Sequence, residues 1–244
     1  MAQYAFNRRE AKYLLDEFQL ARISRALDEN MKKGGYGSYG IRNVYFDTDS
    51  FDIARMCADK PYYKEKLRIR SYGQASPDGP VFIELKKKLG KTTFKRRVML
   101  PNDVAFEFMA GGREAASEFA IEAVDKQVLS EIARFLDVYP ATPKMFVSYD
   151  RIELEGISDP NLRITIDTNI RQRATDLTLC GCNRGDELLP VGSALMEVKC
   201  LDSMPMWLVR TLGSCGAFEA SFSKYGESVA RTIKRNEREA IEIA

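Results

Sequence analysis

Polar and apolar residues alternate along several stretches of the chain. In "YYKEKLRIRSYG" (62–73), an extended backbone puts Lys64, Lys66, Arg68 and Arg70 on one face and Leu67 and Ile69 on the other. In "FIELKKK" (82–88), Glu84, Lys86 and Lys88 lie opposite Ile83 and Leu85. In "TFKRRVML" (93–100), Lys95 and Arg97 lie opposite Phe94 and Val98. "VSYDRIE" groups Tyr149, Arg151 and Glu153; "LRITID" sets Arg163, Thr165 and Asp167 against Leu162, Ile164 and Ile166; "LMEVKC" sets Glu197 and Lys199 against Met196 and Val198. Strands are therefore predicted in all six places, and a further one over 4–13 with Phe6, Arg8, Glu10 and Lys12 on one face.

The period changes to a helical one over 14–31, where Leu15, Phe18, Ile23, Ala26 and Leu27 recur. "GGYGSYG" (34–40) reads as a loop, "IRNVYFDT" (41–48) as a strand, and the segment closed by Pro61 as a short helix or turn. "ASPDGP" is a turn, and the strands on either side of Gly90 and Lys91 form a hairpin. Residues 102–138 are mainly helical with a break at Gly111–Gly112. "PMWLVRTL" (205–212) and the polar segment after Ser223 complete the helices. With no internal repeat and no clear linker, residues 1–244 read as one domain.

Aligned cations are unfavourable by themselves. Same-face neighbours about 7 Å apart repel by about 2 kcal/mol at an effective dielectric near 20. A solvated face normally mixes Ser, Thr, Gln and both charge signs, and any single strand of this chain allows that reading. Taken together, the strands carry Lys or Arg at i and i+2 with few carboxylates. Closing such a sheet into a barrel turns the charged faces inward and lets helices cover the apolar ones. A cation-lined interior becomes favourable when it holds a polyanion such as triphosphate or polyphosphate. Arg forks match phosphate oxygens, and Lys adds point charge. The few carboxylates then suit Mg²⁺ or Mn²⁺ held against the phosphates.

Composition narrows the alternatives. The net charge of +2 means that the cations are clustered rather than in excess, which argues against a general polyanion coat. No apolar run reaches the ~20 residues that span a bilayer, and the first residues contain no apolar secretory core. Five cysteines without regular spacing suit a reducing, cytoplasmic setting. With no histidine in the chain, Ser-His and Cys-His catalysis within it are excluded, and the CxC of Cys180 and Cys182 has no partner pair for zinc. "GKTT" (90–93) lacks the earlier glycine of a phosphate-binding loop, because Leu85 stands there.

"FNRREAKY", "VYFDT", "YKEKLRIRSYG", "FIELKKK", "KRR", "YDR", "LRITID", "MEVK" and "FSKY" occur in the order found in the VTC (vacuolar transporter chaperone) catalytic domain. The chain resembles that domain from about residue 5 to 235. The family is a polyphosphate polymerase of the triphosphate tunnel metalloenzyme (CYTH-like) superfamily. The resemblance implies an α+β fold: a closed, mostly antiparallel eight-stranded barrel with surrounding helices. It also implies ATP and polyphosphate as substrates and a divalent metal, Mn²⁺ or Mg²⁺, as cofactor.

By the same resemblance, Arg68, Arg70, Lys86, Arg163 and Lys224 act on the transferred group. Lys12, Lys66, Arg97, Arg151, Lys199 and Ser223 bind phosphate. Glu197 holds the metal, with Glu84 and Glu10 as further candidates. Arg8 stands where the wider superfamily's ExExK has its first Glu, which counts against the two-metal hydrolase pattern. Eukaryotic VTC subunits carry an SPX domain and membrane helices, neither of which is recognisable in this sequence.

Plainer roles stay open for several of these residues. Glu10 can simply neutralise Arg8 and Lys12, Glu84 can pair with Lys66 or Arg68, and Ser223 can be a helix N-cap. Tyr149 and Tyr225 read as packing residues. Two other functions remain alongside the polymerase: a metal-dependent tripolyphosphatase or nucleoside triphosphatase, and a non-catalytic polyphosphate-binding module. The aliphatic residues between the cations argue against nucleic acid, which favours interleaved aromatics.

Overall fold

The computed structural model describes residues 8–90, 92–119, 122–201 and 203–243. Strands and helices are mixed. The strands are β1 (Arg8–Leu15), β2 (Met31–Asp47), β3 (Tyr63–Tyr72), β4 (Pro80–Leu89), β5 (Thr92–Pro101), β6 (Thr142–Gly156), β7 (Arg163–Arg173), β8 (Asp186–Glu187) and β9 (Ala194–Leu201). The helices are α1 (Glu17–Asn30), α2 (Asp52–Ala58), α3 (Asn102–Met109), α4 (Ala123–Val138), α5 (Met206–Ser214) and α6 (Lys224–Ile243). The sequence-predicted strand over 4–13 begins at Arg8 as described; Phe6 lies outside the described residues, as does Lys91 in the β4–β5 turn.

The strands form one large sheet in the order β1-β9-β7-β6-β2-β3-β4-β5, with β8 on β7. Its path ends at β1 and β5. Among the described residues no hydrogen-bonded pairing joins these two strands, so the sheet is not closed by hydrogen bonds into the expected eight-stranded barrel. Alternation fixes which face each side chain takes; it does not dictate whether the end strands pair.

Residues 34–40 also depart from expectation: they are strand, not loop. Gly34 lies where a Cβ would stand 3.3 Å from the Glu153 carbonyl oxygen, so a residue without a side chain lets the two backbones approach. Gly37, at φ +62°, supplies a left-handed turn of the backbone within the strand.

The chain forms two compact units. The first comprises Met1–Gly40, Tyr149–Ile170 and Leu189–Phe222; the second comprises Ile41–Ser148, Arg171–Leu188 and Ser223–Ala244. In the first unit β9 pairs antiparallel with β1 and with β7. Ala11, Tyr13, Leu15, Ile164, Ile166, Met196 and Val198 project to one side, where they pack with Ile23 and Leu27 of α1 and Leu208 and Leu212 of α5. A capping box starts α1: Gln19 N donates to Asp16 Oδ1 at 2.8 Å, and Asp16 N donates to Gln19 Oε1 at 3.1 Å.

In the second unit β3, β4 and β5 form an antiparallel meander. Leu67, Ile69, Ile83, Leu85, Val98 and Leu100 are buried with Ala105 and Phe108 of α3 and Val128, Leu129, Ile132 and Phe135 of α4. Each such buried aliphatic contributes about 1.5–3 kcal/mol, which offsets the cost of assembling like charges on the opposite face. Phe94 is the exception to the predicted pattern: it is exposed, near the β5 turn. Among the described residues no helix is long and apolar enough to cross a membrane.

Candidate functional site

Pairing register decides which charges meet. In the second unit Arg68 lies opposite Glu84, which lies opposite Arg97; the next row is Lys66, Lys86 and Lys95. Glu84 is buried. Arg68 donates to Glu84 Oε2 through Nε at 2.8 Å and a terminal nitrogen at 2.6 Å. Lys95 Nζ lies 2.5 Å from Oε1, and Arg70 Nε lies 3.6 Å from Oε2. Burial pushes the Glu84 carboxyl up, but Arg68, Arg70 and Lys95 outweigh it and hold the group down at about 2.

β2 supplies the next layer of this face. Arg70 donates to Asn43 Oδ1 at 2.9 Å, and Asn43 donates to the Val147 carbonyl at 2.9 Å. Arg68 donates to the Tyr45 hydroxyl at 2.8 Å. Burial raises the Tyr45 pKa, while the charges of Arg68 and Arg70 and the Arg68 hydrogen bond lower it, leaving it at about 8. Tyr45 stacks on Tyr225 with centroids 4.5 Å apart. The Tyr225 hydroxyl donates to buried Asp47 at 2.6 Å. Asp47 also accepts from the backbone of Thr48, Ile53 and Ala54. Burial first, then the Asp47 charge, pushes the Tyr225 hydroxyl far above its ordinary pKa, so it stays a donor.

Ser223 precedes α6. Its Oγ accepts from Gly226 N at 3.2 Å, as an N-cap does, and from Lys66 Nζ at 3.0 Å. The same Oγ thus serves as the helix cap and as the Lys66 acceptor. Arg97 stacks over Phe82 at 4.8 Å. Lys86 is exposed and Lys224 half-buried.

The first unit carries a second charged face. Its rows are Glu10, Lys199 and Arg163, then Lys12, Glu197 and Thr165. Lys12 Nζ is 3.4 Å from Glu197 and 3.9 Å from Glu10, and donates to the Phe222 carbonyl at 3.0 Å. Lys199 Nζ is 3.8 Å from Glu197. Arg163 is exposed. Arg151 makes a bidentate pair with buried Asp167 at 2.6 and 2.8 Å and stacks over Tyr149 at 5.3 Å. Burial disfavours its charge, but Asp167 more than compensates and raises its pKa.

The metal expectation can be tested against these donors. Among the described residues no group of three or more metal-ligating side chains occurs. Glu197 and Glu10 are hard oxygen donors on neighbouring strands, and the buried Thr165 Oγ1, on the strand beside Glu197, has no hydrogen-bond partner. This donor set fits Mg²⁺ or Mn²⁺, which are commonly held by one or two carboxylates, waters and substrate phosphates. Glu84 fits less well, because three cations already surround its oxygens.

The sequence-predicted residues therefore fall into two sets. Lys66, Arg68, Arg70, Glu84, Lys86, Arg97, Ser223 and Lys224 belong to the second unit, and Glu10, Lys12, Arg151, Arg163, Glu197 and Lys199 to the first. Tyr45, Asn43 and Asp47 escaped the sequence reading, although "RNVYFDT" alternates them with Val44 and Phe46 and so places them on one face.

The sheet and its helices share their fold with a putative adenylyl cyclase from Hippeastrum described as having a dominant triphosphatase activity. The TM-score is 0.50 and the identity 15%, with 91% of this chain and 94% of that one covered. A putative adenylate cyclase from Vibrio parahaemolyticus gives a TM-score of 0.46 at 10% identity, covering 93% of this chain and 99% of that one. The likeness to the Hippeastrum protein is one of fold. The chain belongs to the VTC domain family, whose model matches residues 7–233. It is 24% identical over 272 aligned positions to vacuolar transporter chaperone complex subunit 4 of Trypanosoma cruzi (strain CL Brener). The alignment covers 92% of this chain but only 34% of that relative, so the chain spans about a third of its length.

Proposed function

We propose that the protein is a polyphosphate polymerase-like phosphotransferase that moves the γ-phosphoryl group of ATP onto the end of a polyphosphate chain. The family match across nearly the whole chain supports reading 1–244 as one domain with this activity. One observation carries the proposal: on β3, β4 and β5, Lys66, Arg68, Arg70, Lys86, Lys95 and Arg97 share a face with the single carboxylate of Glu84. Such a surplus of cations suits a polyanion.

In this reading a terminal phosphate oxygen of the chain attacks the γ-phosphorus of ATP. The bond from that phosphorus to the β–γ bridging oxygen breaks, and ADP leaves with the electron pair. The attacking phosphate is already largely ionised near neutral pH, so the lack of histidine is no obstacle. Phosphoryl transfer needs chiefly alignment and charge neutralisation. Arg68, Arg70, Lys86, Arg163 and Lys224 supply charge at the transferred group. Lys12, Lys66, Arg97, Lys199 and Ser223 hold neighbouring phosphates. Arg151, its fork committed to Asp167, contributes through its field. Glu197, with Glu10, would hold Mg²⁺ or Mn²⁺, which neutralises phosphate-oxygen charge when bound. Glu84 serves as the counter-ion that keeps Arg68 and Arg70 in place. A sheet closed around the phosphates belongs to the same proposal.

The test is a paired assay of the purified protein with ATP and Mn²⁺ or Mg²⁺, with and without a short polyphosphate primer. Free phosphate and long-chain polyphosphate are read from one tube, beside a Glu197→Gln control. Chain growth lost in the control is expected. Phosphate release without chains would replace the polymerase by a hydrolase, and tight polyphosphate binding without turnover would leave a binding module.

A further inference from the structure

The charged face of β3, β4 and β5 differs from one end to the other. At one end Lys64 stands opposite Lys88, and Lys66 opposite Lys86, with Lys95 beside it. Like charges directly opposite each other are destabilising, so this end favours an anion. At the other end the same alternation puts Tyr72, Phe82 and Met99 on the charged face, in step with Arg70, Glu84 and Arg97. Their contacts agree with that placement. Phe82 lies opposite Met99 in the register, Arg97 lies over the Phe82 ring at 4.8 Å, and Tyr72 meets that ring edge to face at 5.7 Å.

Single exposed apolar side chains are ordinary on a surface, but these adjoin one another and the rows of cations. Tyr72 and Met99 are 46% and 58% exposed, so a ligand can reach both. An aromatic ring beside a pliable thioether suits a flat partner, and nucleobases of any kind stack on aromatic side chains. Bare polyphosphate has no part that uses such an apolar end. Spacing makes the match specific: the Phe82–Met99 row stands about 14 Å along the strands from the Lys86–Lys95 row. An extended nucleoside triphosphate covers that length, with its base at the first row and its γ-phosphate near the second.

We propose that Tyr72, Phe82 and Met99 form the nucleobase subsite of the phosphoryl-transfer face, an inference that rests on the polymerase reading above. ATP then lies along the strands with its base at the aromatic end, its phosphates over Arg68 and Arg97, and its γ-phosphate towards Lys66 and Lys86. In-line attack requires the acceptor to approach from the side away from ADP, so the polyphosphate chain comes in over Lys64 and Lys88.

The test is calorimetry on the whole chain with two probes, tripolyphosphate and the β,γ-imido analogue of ATP, which cannot pass on its γ-phosphoryl group. Tyr72→Ala/Met99→Ser should weaken the nucleotide about tenfold, the effect of losing a stacking platform, and leave tripolyphosphate affinity unchanged. Photolabelling with 8-azido-ATP should mark the peptides around Tyr72 and Met99, not those around Lys64 and Lys88. Equal nucleotide affinity in wild type and variant, a parallel loss of tripolyphosphate binding, or a label at the lysine end would each overturn the subsite while leaving the polymerase reading standing. A wild-type protein that binds neither probe would overturn that reading and the subsite with it.

Discussion

Glu84 and Glu197 each sit on the charged face of a strand, one in each unit, and their surroundings differ. The Glu84 side chain is 2% exposed and held by ion pairs of 2.5 and 2.6 Å. The Glu197 side chain is 12% exposed, and its lysines stand off at 3.4 and 3.8 Å. A carboxylate enclosed by guanidinium and ammonium groups fixes the cations around it. One with loose lysine partners can exchange them for a metal and phosphate oxygens. Sequence alone gives both the same signature, a Glu spaced two residues from a Lys.

The largest expected effect breaks this comparison if it fails. Glu197→Gln should lower turnover at least a hundredfold while changing stability by no more than about 1 kcal/mol, as for a partly exposed pair. Glu84→Ala should cost about 3–5 kcal/mol, because it leaves buried Arg70 and half-buried Arg68 without their counter-ion. Urea unfolding of both variants decides the matter; a larger stability loss for Glu197→Gln would reverse the assigned roles.

Acid unfolding sharpens the contrast. The Glu84 pKa is depressed from 4.5 to about 2 on folding, so its stabilisation is complete above about 4.5 and disappears as pH falls towards 2. Glu84→Gln should flatten the stability profile in that window. A smaller effect concerns Tyr45, whose folded pKa is near 8 against 10 for the ordinary phenol. This group favours the folded state more as pH rises from 8 to 10. Absorbance at 295 nm should show one tyrosine ionising near pH 8, and Tyr45→Phe should remove that step. Smallest is Ser223→Ala, which removes a cap and a Lys66 acceptor and should cost about 0.5–2 kcal/mol by thermal unfolding.

Much of the fold was legible because strand alternation is a local property. Leu67, Ile69, Ile83 and Leu85 are all fully buried, and Arg68 and Glu84 lie on the opposite face. The break at Gly111–Gly112 and the Ser223 cap were equally local. Residues 34–40 misled because glycine and tyrosine give opposite signals; pairing, which the segment itself does not record, decided for strand. The two-residue β8 is too short to leave a periodic trace. The Arg151–Asp167 pair lay hidden because both residues alternate correctly on separate strands, and only register brings them together. The hydrogen bond between Tyr225 and Asp47 links positions 178 apart, beyond any local pattern.

That last bond also has a consequence for the timing of synthesis. Asp47 is made 178 residues before its partner. At about 5–20 residues per second, the ribosome takes roughly 9 to 36 s to cover that distance. Once Arg97 is made, every strand cation of the second unit's face is present, yet Tyr45 still lacks its stacking ring and Lys66 the Ser223 hydroxyl. The nascent chain therefore carries its charges well before the aromatic clasp that orders them. α6 acts as the latch, so the second unit's face reaches its finished form only once that helix has been made.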